Sequence, residues 1–253
     1  MLMTRVIPVL LIKDSGLVKT VKFKNPIYIG DPRNAVKIFN DKEVDELIIL
    51  DISATRGEKV TKYSVIQEIV SEAFMPVAYG GGIKNIADAR KVLSLGVEKI
   101  VINSIAVDSP SFVHEACKAF GGQSITVSVD VKKNILGNYH VYSHGGQRAT
   151  KYEPVKFSQM MEELGAGELI IHSIQKDGTM EGYDIEIIKK ISSAVNIPVI
   201  ACGGAGSIDD FKKAVKYGRA SAVAAGSIFV YHGRHRAVLI SYPQQQVIRE
   251  IFS

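Results

Sequence analysis

Two glycine-rich segments, each followed downstream by a pair of small residues that ends in serine, contain residue types that bind phosphate. The first is Gly80-Gly81-Gly82 with Asn103-Ser104 downstream, and the second is Gly203-Gly204-Ala205-Gly206 with Gly226-Ser227 downstream. The spacing from Gly80 to Ser104 equals the spacing from Gly203 to Ser227. Glycine lets backbone N–H groups approach an anion closely, and a following helix N-terminus adds partial positive charge. The pattern predicts two phosphate sites and a small-molecule ligand that carries two phosphates.

Apolar runs of strand length alternate with helical patterns, which predicts an α/β fold. The candidate buried strands are residues 6–12, 47–52, 76–79, 99–103, 124–130, 169–174, 198–202 and 221–225. The helical patterns include residues 63–74, 86–95, 111–120, 157–164, 185–195 and 208–217. The segment Glu46-Leu47-Ile48-Ile49 recurs half a chain later as Glu168-Leu169-Ile170-Ile171. We therefore expect a single (β/α)8 TIM barrel with an internal half-barrel repeat, spanning residues 1–253 as one domain. An open doubly wound sheet is the structural alternative.

Local signals mark the ends of several elements. Asn85 and Ser207 are predicted to cap the helices that follow them. Gly96 and Gly218 are predicted to end helices in the left-handed conformation. Residues 134–146, rich in glycine, asparagine and histidine, predict either a hairpin or a mobile flap after the fifth strand.

Composition and charge argue against several classes of protein. The net charge is +5, but the basic residues are scattered rather than interleaved with aromatic ones, which argues against nucleic-acid binding. A mild positive excess suits an anionic small ligand. No apolar run is long enough to span a membrane, and we expect a cytoplasmic protein without a signal peptide. Cys117 and Cys202 are interpreted as buried free thiols, and we expect no metal and no cofactor.

A set of motifs over residues 1 to about 230 resembles one enzyme family. The motifs are Lys13-Asp14, Val18-Lys19, Gly30-Asp31-Pro32, Leu50-Asp51-Ile52, Gly80-Gly81-Gly82-Ile83, Ile102-Asn103-Ser104, Asp130, Asp177-Gly178-Thr179, Gly182-Tyr183-Asp184 and Gly203-Gly204-Ala205-Gly206. Together they resemble the cyclase subunit of imidazole glycerol phosphate synthase. A sister isomerase of the same pathway shares the barrel and the glycine segments, but the last two motifs are more similar to the cyclase.

The resemblance implies a reaction and a set of site residues. The family's cyclase receives ammonia from a glutaminase subunit at the N-terminal face of the barrel and uses it to cleave and cyclise a bis-phosphate substrate. Two aspartates act as general acid and base, and Asp130 matches one of them. Asp51 and Lys19 are candidate substrate-binding residues, although a solvated loop charge is the alternative interpretation of Lys19. The implied phosphate-binding residues are Gly81, Gly82, Asn103, Ser104, Asp177, Gly178, Gly203, Gly204, Gly226 and Ser227.

Three positions depart from the family pattern. The other catalytic aspartate falls at Leu11, and a leucine side chain neither donates nor accepts a proton. Asp14, three residues later, is a candidate replacement acid. His172 stands where the family usually has threonine, and Cys202 where it usually has serine. His172 is a candidate general base, and the alternative is a histidine satisfied by a neighbouring backbone group. The three changes together favour altered chemistry.

Four charged residues begin four of the predicted strands: Arg5, Glu46, Lys99 and Glu168. Two are positive and two negative, and they are expected to surround the N-terminal opening of the barrel. Because buried charges persist only when paired, the structural interpretation is a salt-bridged floor. The family carries charges of these types at these positions, so the resemblance also implies an ammonia gate.

These features leave several functions open. We favour an ammonia-using or ammonia-relaying subunit of a glutamine amidotransferase complex, diverged toward amidino-sugar synthesis for surface polysaccharides. An amide- or amidine-forming sugar enzyme would then be a further partner. One alternative is a genuine histidine-biosynthesis cyclase, which is a lyase. Another is a non-catalytic activator of a glutaminase that binds the bis-phosphate. A phosphosugar isomerase that works without ammonia is the weakest alternative.

Overall fold

The chain forms a closed barrel of eight parallel strands, seen in a computed structural model that describes residues 4–55, 62–233 and 235–252. The strands are β1 (Arg5–Lys13), β2 (Leu47–Asp51), β3 (Val77–Gly80), β4 (Lys99–Ile102), β5 (Ile125–Lys133), β6 (Glu168–Ser173), β7 (Val199–Cys202) and β8 (Ala222–Ala225). Each strand pairs with its neighbour in sequence, and β8 pairs with β1 to close the barrel. The predicted (β/α)8 fold is confirmed.

Each barrel strand is buried on both faces, so its sequence reads as an apolar run. On β5, Ile125, Val127 and Val129 belong to the apolar layer beneath the helices. The alternate residues, Thr126, Ser128 and Asp130, therefore face the barrel interior. A separate apolar cluster fills that interior: Ile7, Val9, Leu11, Val18, Ile48, Ala78, Val101, Ile170, Ile200, Cys202, Ala222 and Ala224.

In the described residues, eight helices of two turns or more surround the strands. They are α1 (Pro32–Asp41), α2 (Tyr63–Glu72), α3 (Ile86–Leu93), α4 (Ser111–Phe120), α5 (Pro154–Glu163), α6 (Ile185–Ser192), α7 (Ile208–Lys216) and α8 (Gln245–Phe252). Asn85 caps α3 by accepting a hydrogen bond from Asp88 N, and Ser207 forms a capping box with Asp210 at α7. The sequence pattern missed α1, which begins at Pro32 behind an Asp31 cap.

The two predicted helix-ending glycines behave differently. Gly96 has a φ of 96°, as predicted for a left-handed end of α3. The prediction for Gly218 is wrong, because the left-handed residue there is Arg219, with a φ of 57°. A Cβ atom at position 218 would lie 2.5 Å from the carbonyl oxygen of Ala214. Gly218 is thus needed for close backbone approach and not for its φ angle.

Two antiparallel hairpins extend the C-terminal end of the barrel. The first hairpin consists of Gly16–Val21 and Lys24–Gly30 and continues from β1. The second hairpin is the end of β5 paired with Tyr139–Ser143, which in turn pairs with Arg148–Ala149. The second corresponds to the hairpin alternative for residues 134–146. Both hairpins lie on the face where barrel enzymes carry their active sites.

Candidate functional site

A cavity of about 330 Å³ opens at the C-terminal ends of the strands. Its floor is apolar, with Leu11, Leu50 and Val101, and its polar groups include Asp51 and Asp130. The first glycine patch, which we define as Gly80, Gly81, Gly82, Asn103 and Ser104, forms one side of this cavity. The structure therefore brings the first predicted phosphate residues to the same space as Asp130.

The first patch needs glycine because its backbone is packed against the neighbouring strand. A Cβ atom on Gly81 would lie 2.3 Å from the carbonyl oxygen of Asp51, and the φ of Gly81 is +115°. The Asn103 amide donates to the carbonyl oxygens of Ser128 and Tyr142 at 3.0 and 3.1 Å. Ser104 Oγ accepts a hydrogen bond from His144 N at 3.1 Å, so the second hairpin is tied to this patch.

The second glycine patch, defined as Gly203, Gly204, Gly226 and Ser227, lines a separate pocket of only about 20 Å³. Lys19 is buried beside it, and a Cβ atom on Gly226 would lie 2.7 Å from Lys19 Nζ. The interpretation of Lys19 as a solvated loop charge is therefore wrong. Its ammonium group sits within the predicted second phosphate site.

The first hairpin covers the second patch by bonding to Asp177. The carboxylate accepts a hydrogen bond from Thr20 Oγ1 at 3.1 Å, and the Asp177 carbonyl oxygen accepts one from Lys22 N at 2.9 Å. A Cβ atom on Gly178 would lie 2.3 Å from the carbonyl oxygen of Thr20. The ring of Phe23 packs edge-on against His172, with centroids 4.7 Å apart.

Asp130 is a buried carboxylate with a perturbed pKa. Burial raises this pKa to about 6, although the nearby His172 and a 2.7 Å hydrogen bond from Ser128 Oγ oppose the rise. Asp130 and His172 are register partners on β5 and β6. A buried carboxyl group with a pKa near neutrality suits proton transfer.

His172 and Asp177 form a buried pair, with His172 Nε2 and Asp177 Oδ1 3.4 Å apart. Burial alone would lower the pKa of His172. The adjacent Cys202 sulfur and the Asp177 carboxylate outweigh burial and hold that pKa well above its usual range. Burial alone would raise the pKa of Asp177, but His172, Lys19 and Thr20 lower it to about 2. The partner of the His172 ring is thus the Asp177 carboxylate, and not the backbone group of the alternative interpretation.

The remaining predicted residues do not all reach the cavity. Leu11 is buried and lines both pockets, where the family's second aspartate was expected. Asp14 is exposed with a φ of 55°, and it lines a different small pocket beside Lys62. The structure therefore does not bring Asp14 to Asp130. Asp51 lines the main cavity and accepts hydrogen bonds from Ser53 N and Ser53 Oγ at 2.9 and 2.7 Å.

The four charges at the strand starts form a closed ring at the opposite end of the barrel, which we call the charge ring. Arg5 bonds to both Glu46 and Glu168. Lys99 Nζ lies 3.0 Å from Glu46 and 3.2 Å from Glu168. Burial alone would lower the pKa of Arg5, but Glu168 and Glu46 outweigh burial and raise it, so the guanidinium stays charged. The ring is the salt-bridged floor that the alternating charges predicted.

Sequence reasoning missed several site residues. Ser128 bonds directly to Asp130, Phe23 covers His172, and the backbone of His144 reaches Ser104. Strand alternation on β5 was a usable signal for Ser128, because residues two apart share a face. Nothing local marked Phe23 or His144, since both contacts join residues far apart in sequence.

In the described residues, no cluster of histidine, cysteine, aspartate or glutamate is arranged to hold a metal ion. Among the helices in this described part of the chain, none has the length and the apolar character that crossing a membrane requires.

The sequence is similar to one protein family over most of its length. A profile of the family described as histidine biosynthesis protein matches residues 5–236. A Pseudomonas aeruginosa protein named "Putative imidazole glycerol phosphate synthase subunit hisF2" is 52% identical over 243 residues, 96% of this chain and 97% of that protein. A Leptospira interrogans protein named "Putative imidazole glycerol phosphate synthase subunit HisF" is 46% identical over 253 residues, 100% of both chains. An Alkaliphilus metalliredigens protein named "Imidazole glycerol phosphate synthase subunit HisF" is 41% identical over 232 residues, 92% of each chain. The chain therefore belongs to the histidine biosynthesis family, in the group of imidazole glycerol phosphate synthase cyclase subunits.

Proposed function

We propose that this chain receives ammonia from a glutaminase subunit docked at the N-terminal face of the barrel. The observation that carries the proposal is the charge ring at that face. Removing four charges from water is costly, and a floor of apolar side chains would seal the barrel more cheaply. A ring of paired charges suits an entrance for a small polar molecule, which then leads along the barrel axis to the cavity with Asp130.

The cavity ligand in this proposal is a small molecule with a phosphate at each end. Each glycine patch supplies a backbone cradle, and Lys19 adds a cation at the second patch. Three buried side-chain polar atoms in the described residues have no hydrogen-bond partner, and two of them, Asn103 Oδ1 and Ser227 Oγ, belong to the patches. The Ser227 hydroxyl is thus available to donate to a phosphate oxygen. Binding of two phosphates also requires the first hairpin to move off the second patch.

The favoured version of the proposal is ammonia relay without full cyclisation. Leu11 leaves Asp130 without its aspartate partner, and general acid–base assistance contributes on the order of 10²- to 10⁴-fold to a rate. Ammonia would then pass to a separate acceptor, an amide- or amidine-forming sugar enzyme of surface-polysaccharide synthesis. The changes at Leu11, His172 and Cys202 support this version.

A second candidate, the histidine-pathway cyclase, is favoured by the position of His172. His172 is the register partner of Asp130 on the neighbouring strand, so two titratable side chains are still neighbours in the site. In this version, Asp130 removes a proton and His172 supplies one in place of the aspartate that is absent at Leu11.

Assay of the complex with a glutaminase subunit of this family separates the candidates. Glutamine hydrolysis and ring formation are measured with and without the bis-phosphate histidine precursor. Faster hydrolysis with an imidazole product supports the cyclase. Faster hydrolysis with no product, and transfer of ¹⁵N from glutamine to an added acceptor enzyme, supports the relay. Faster hydrolysis with all nitrogen released to solvent supports a non-catalytic activator. Failure to bind or stimulate the glutaminase would refute the proposal.

A further inference from the structure

The pocket of the second glycine patch contains a buried thiol that the proposed function does not use. Cys202 ends β7 and is 4% exposed. It lines the pocket of about 20 Å³. That pocket and the main cavity share Leu11, His172 and Asp177 as lining residues, so the two spaces are adjacent. The thiol therefore lies next to a cavity that small molecules enter from solvent.

Cys202 is one of three neighbouring side chains that suit nucleophilic chemistry. His172 and Cys202 are register partners on β6 and β7, and both line the small pocket. On its other side, His172 Nε2 lies 3.4 Å from Asp177 Oδ1. A cysteine beside a histidine that a third group orients is the arrangement in which a thiol is activated as a nucleophile. His172 and Cys202 are also two of the three departures from the family pattern, so the thiol and its base depart together.

The surroundings of the thiol favour reaction with a small polar molecule. Burial alone would lower the pKa of His172, but the Cys202 sulfur and the Asp177 carboxylate raise it, which makes the ring a stronger proton acceptor. Ser227 Oγ, buried in the same pocket, has no hydrogen-bond partner, and Lys19 also lines this pocket. A free hydroxyl and an amine suit a molecule with polar oxygen atoms. The pocket has room for a molecule only slightly larger than water.

We propose that Cys202, His172 and Asp177 form a reactive thiol site that is oxidised by hydrogen peroxide. The inference does not depend on the proposed function. The thiol proton passes to the His172 ring, and the sulfur attacks one peroxide oxygen while the O–O bond breaks. The leaving oxygen takes the proton from His172 and departs as water. Sulfur loses two electrons and becomes a sulfenic acid, and the peroxide is reduced. The added oxygen atom then lies in the pocket of the second patch.

Cys117 provides an internal reference because its surroundings are different. It lies half-buried on α4, and burial raises the pKa of its thiol. A raised pKa leaves less of the thiolate, which is the reactive form of cysteine. Exposure alone would make Cys117 the faster of the two thiols to react. The proposed site predicts the opposite order.

Peroxide kinetics on the whole chain test this order. The reduced protein is treated with excess hydrogen peroxide at neutral pH, and catalase stops the reaction at intervals. The samples are unfolded, the remaining thiols are alkylated, and mass spectrometry of the peptides gives the rate at which each thiol is lost. We expect Cys202 to be lost at least about tenfold faster than Cys117 and to be restored by dithiothreitol, as a sulfenic acid is. Equal rates, or faster loss of Cys117, would overturn the proposal.

Histidine variants test whether His172 activates the thiol. His172→Thr should slow the loss of Cys202 about tenfold and leave the loss of Cys117 unchanged. His140→Thr is the control, since His140 lies on the second hairpin with its ring against Asn134, and it should alter neither rate. An unchanged Cys202 rate in His172→Thr would overturn the role of His172. The Cys117 rate and the circular dichroism spectrum report whether each variant is folded, and His172→Asn repeats the test if His172→Thr is not.

Discussion

The two glycine patches share a sequence spacing and a backbone shape, yet one is open and the other is filled. Gly81 and Gly204 have the same φ of +115°, and a Cβ atom on each would lie 2.3 or 2.2 Å from a carbonyl oxygen. The first patch faces a cavity of about 330 Å³, whereas the second faces one of about 20 Å³. The first hairpin accounts for the difference, since it places Lys19 beside Gly226. The two patches thus share a backbone cradle, and the first hairpin decides which cradle is accessible.

The largest expected effect is a loss of stability, and it tests whether the backbones of the two glycine patches exclude a Cβ atom equally. Gly81→Ala and Gly204→Ala each force a Cβ atom against a backbone carbonyl at an unfavourable φ. Each should lower the free energy of unfolding by about 3 kcal/mol or more. Denaturant unfolding followed by circular dichroism measures this loss.

Gly137→Ala is the matched control for these variants. Gly137 also has a positive φ, of +82°, but an added Cβ would meet nothing within 4 Å. Gly137→Ala should lower the free energy of unfolding by about 1 kcal/mol, from backbone conformation alone. If Gly204→Ala lowered the free energy of unfolding as little as Gly137→Ala, the backbone of the second patch would be shown to shift and accommodate the added Cβ atom, whereas that of the first does not.

The next effect concerns the two buried carboxylates, Asp177 and Asp130, whose pKa values are shifted in opposite directions. Asp177, whose pKa is lowered to about 2, stabilises the fold above its unfolded pKa of about 4 and loses this contribution as pH falls toward 2. Asp177→Asn should therefore destabilise the protein by about 2 kcal/mol at neutral pH. The difference should shrink as the pH falls below about 4.

The contribution of Asp130 to stability should depend on pH with the opposite sign. Its pKa is raised to about 6, so its contribution to stability is lost as pH rises from about 4 to 6. Asp130→Asn should stabilise the fold by on the order of 2 kcal/mol at neutral pH and by little at pH values near 4. Thermal melts of both variants across this pH range measure whether each substitution stabilises or destabilises the fold. Destabilisation by both substitutions at neutral pH would contradict the opposite pKa shifts of the two carboxylates.

Sequence patterns predicted the features that depend on nearby residues, and they missed the contacts between residues far apart in the chain. The starts of the apolar strand runs predicted Glu46 and Lys99 at the barrel floor, and the glycine-rich segments after two of the strands predicted both patches, because these features are visible in short stretches of sequence. The pairing of Lys19 with the second patch joins residues far apart in the chain, so no local pattern contains it. Asp14 was misplaced for a related reason, since its left-handed conformation turns the chain away from the cavity at the start of the hairpin.

A smaller effect tests the role of Lys19 in the filled patch. Lys19→Met removes a buried cation next to Gly226, so binding of the bis-phosphate histidine precursor should weaken by about tenfold, as expected for one charge-assisted hydrogen bond. Isothermal titration calorimetry measures the change. Lys24→Met, an exposed position on the same hairpin, should leave the affinity unchanged. Tighter binding by Lys19→Met would instead identify Lys19 as a plug that competes with the ligand.

The smallest effect concerns the hydrogen bonds that hold the first hairpin down. Thr20→Val removes the hydroxyl that donates to Asp177, at a cost of about 1 kcal/mol. The amide of Lys22, bonded to the Asp177 carbonyl oxygen at 2.9 Å, should then exchange with solvent deuterium about fivefold faster. Thr150→Val removes a hydroxyl that donates to Val141 O in the second hairpin, and it should leave exchange at Lys22 unaltered. Equal exchange at Lys22 in wild type and Thr20→Val would mean that the Thr20 hydroxyl is not needed to hold the hairpin, and that the contacts of Phe23 with His172 and with the Asp177 carboxylate are enough.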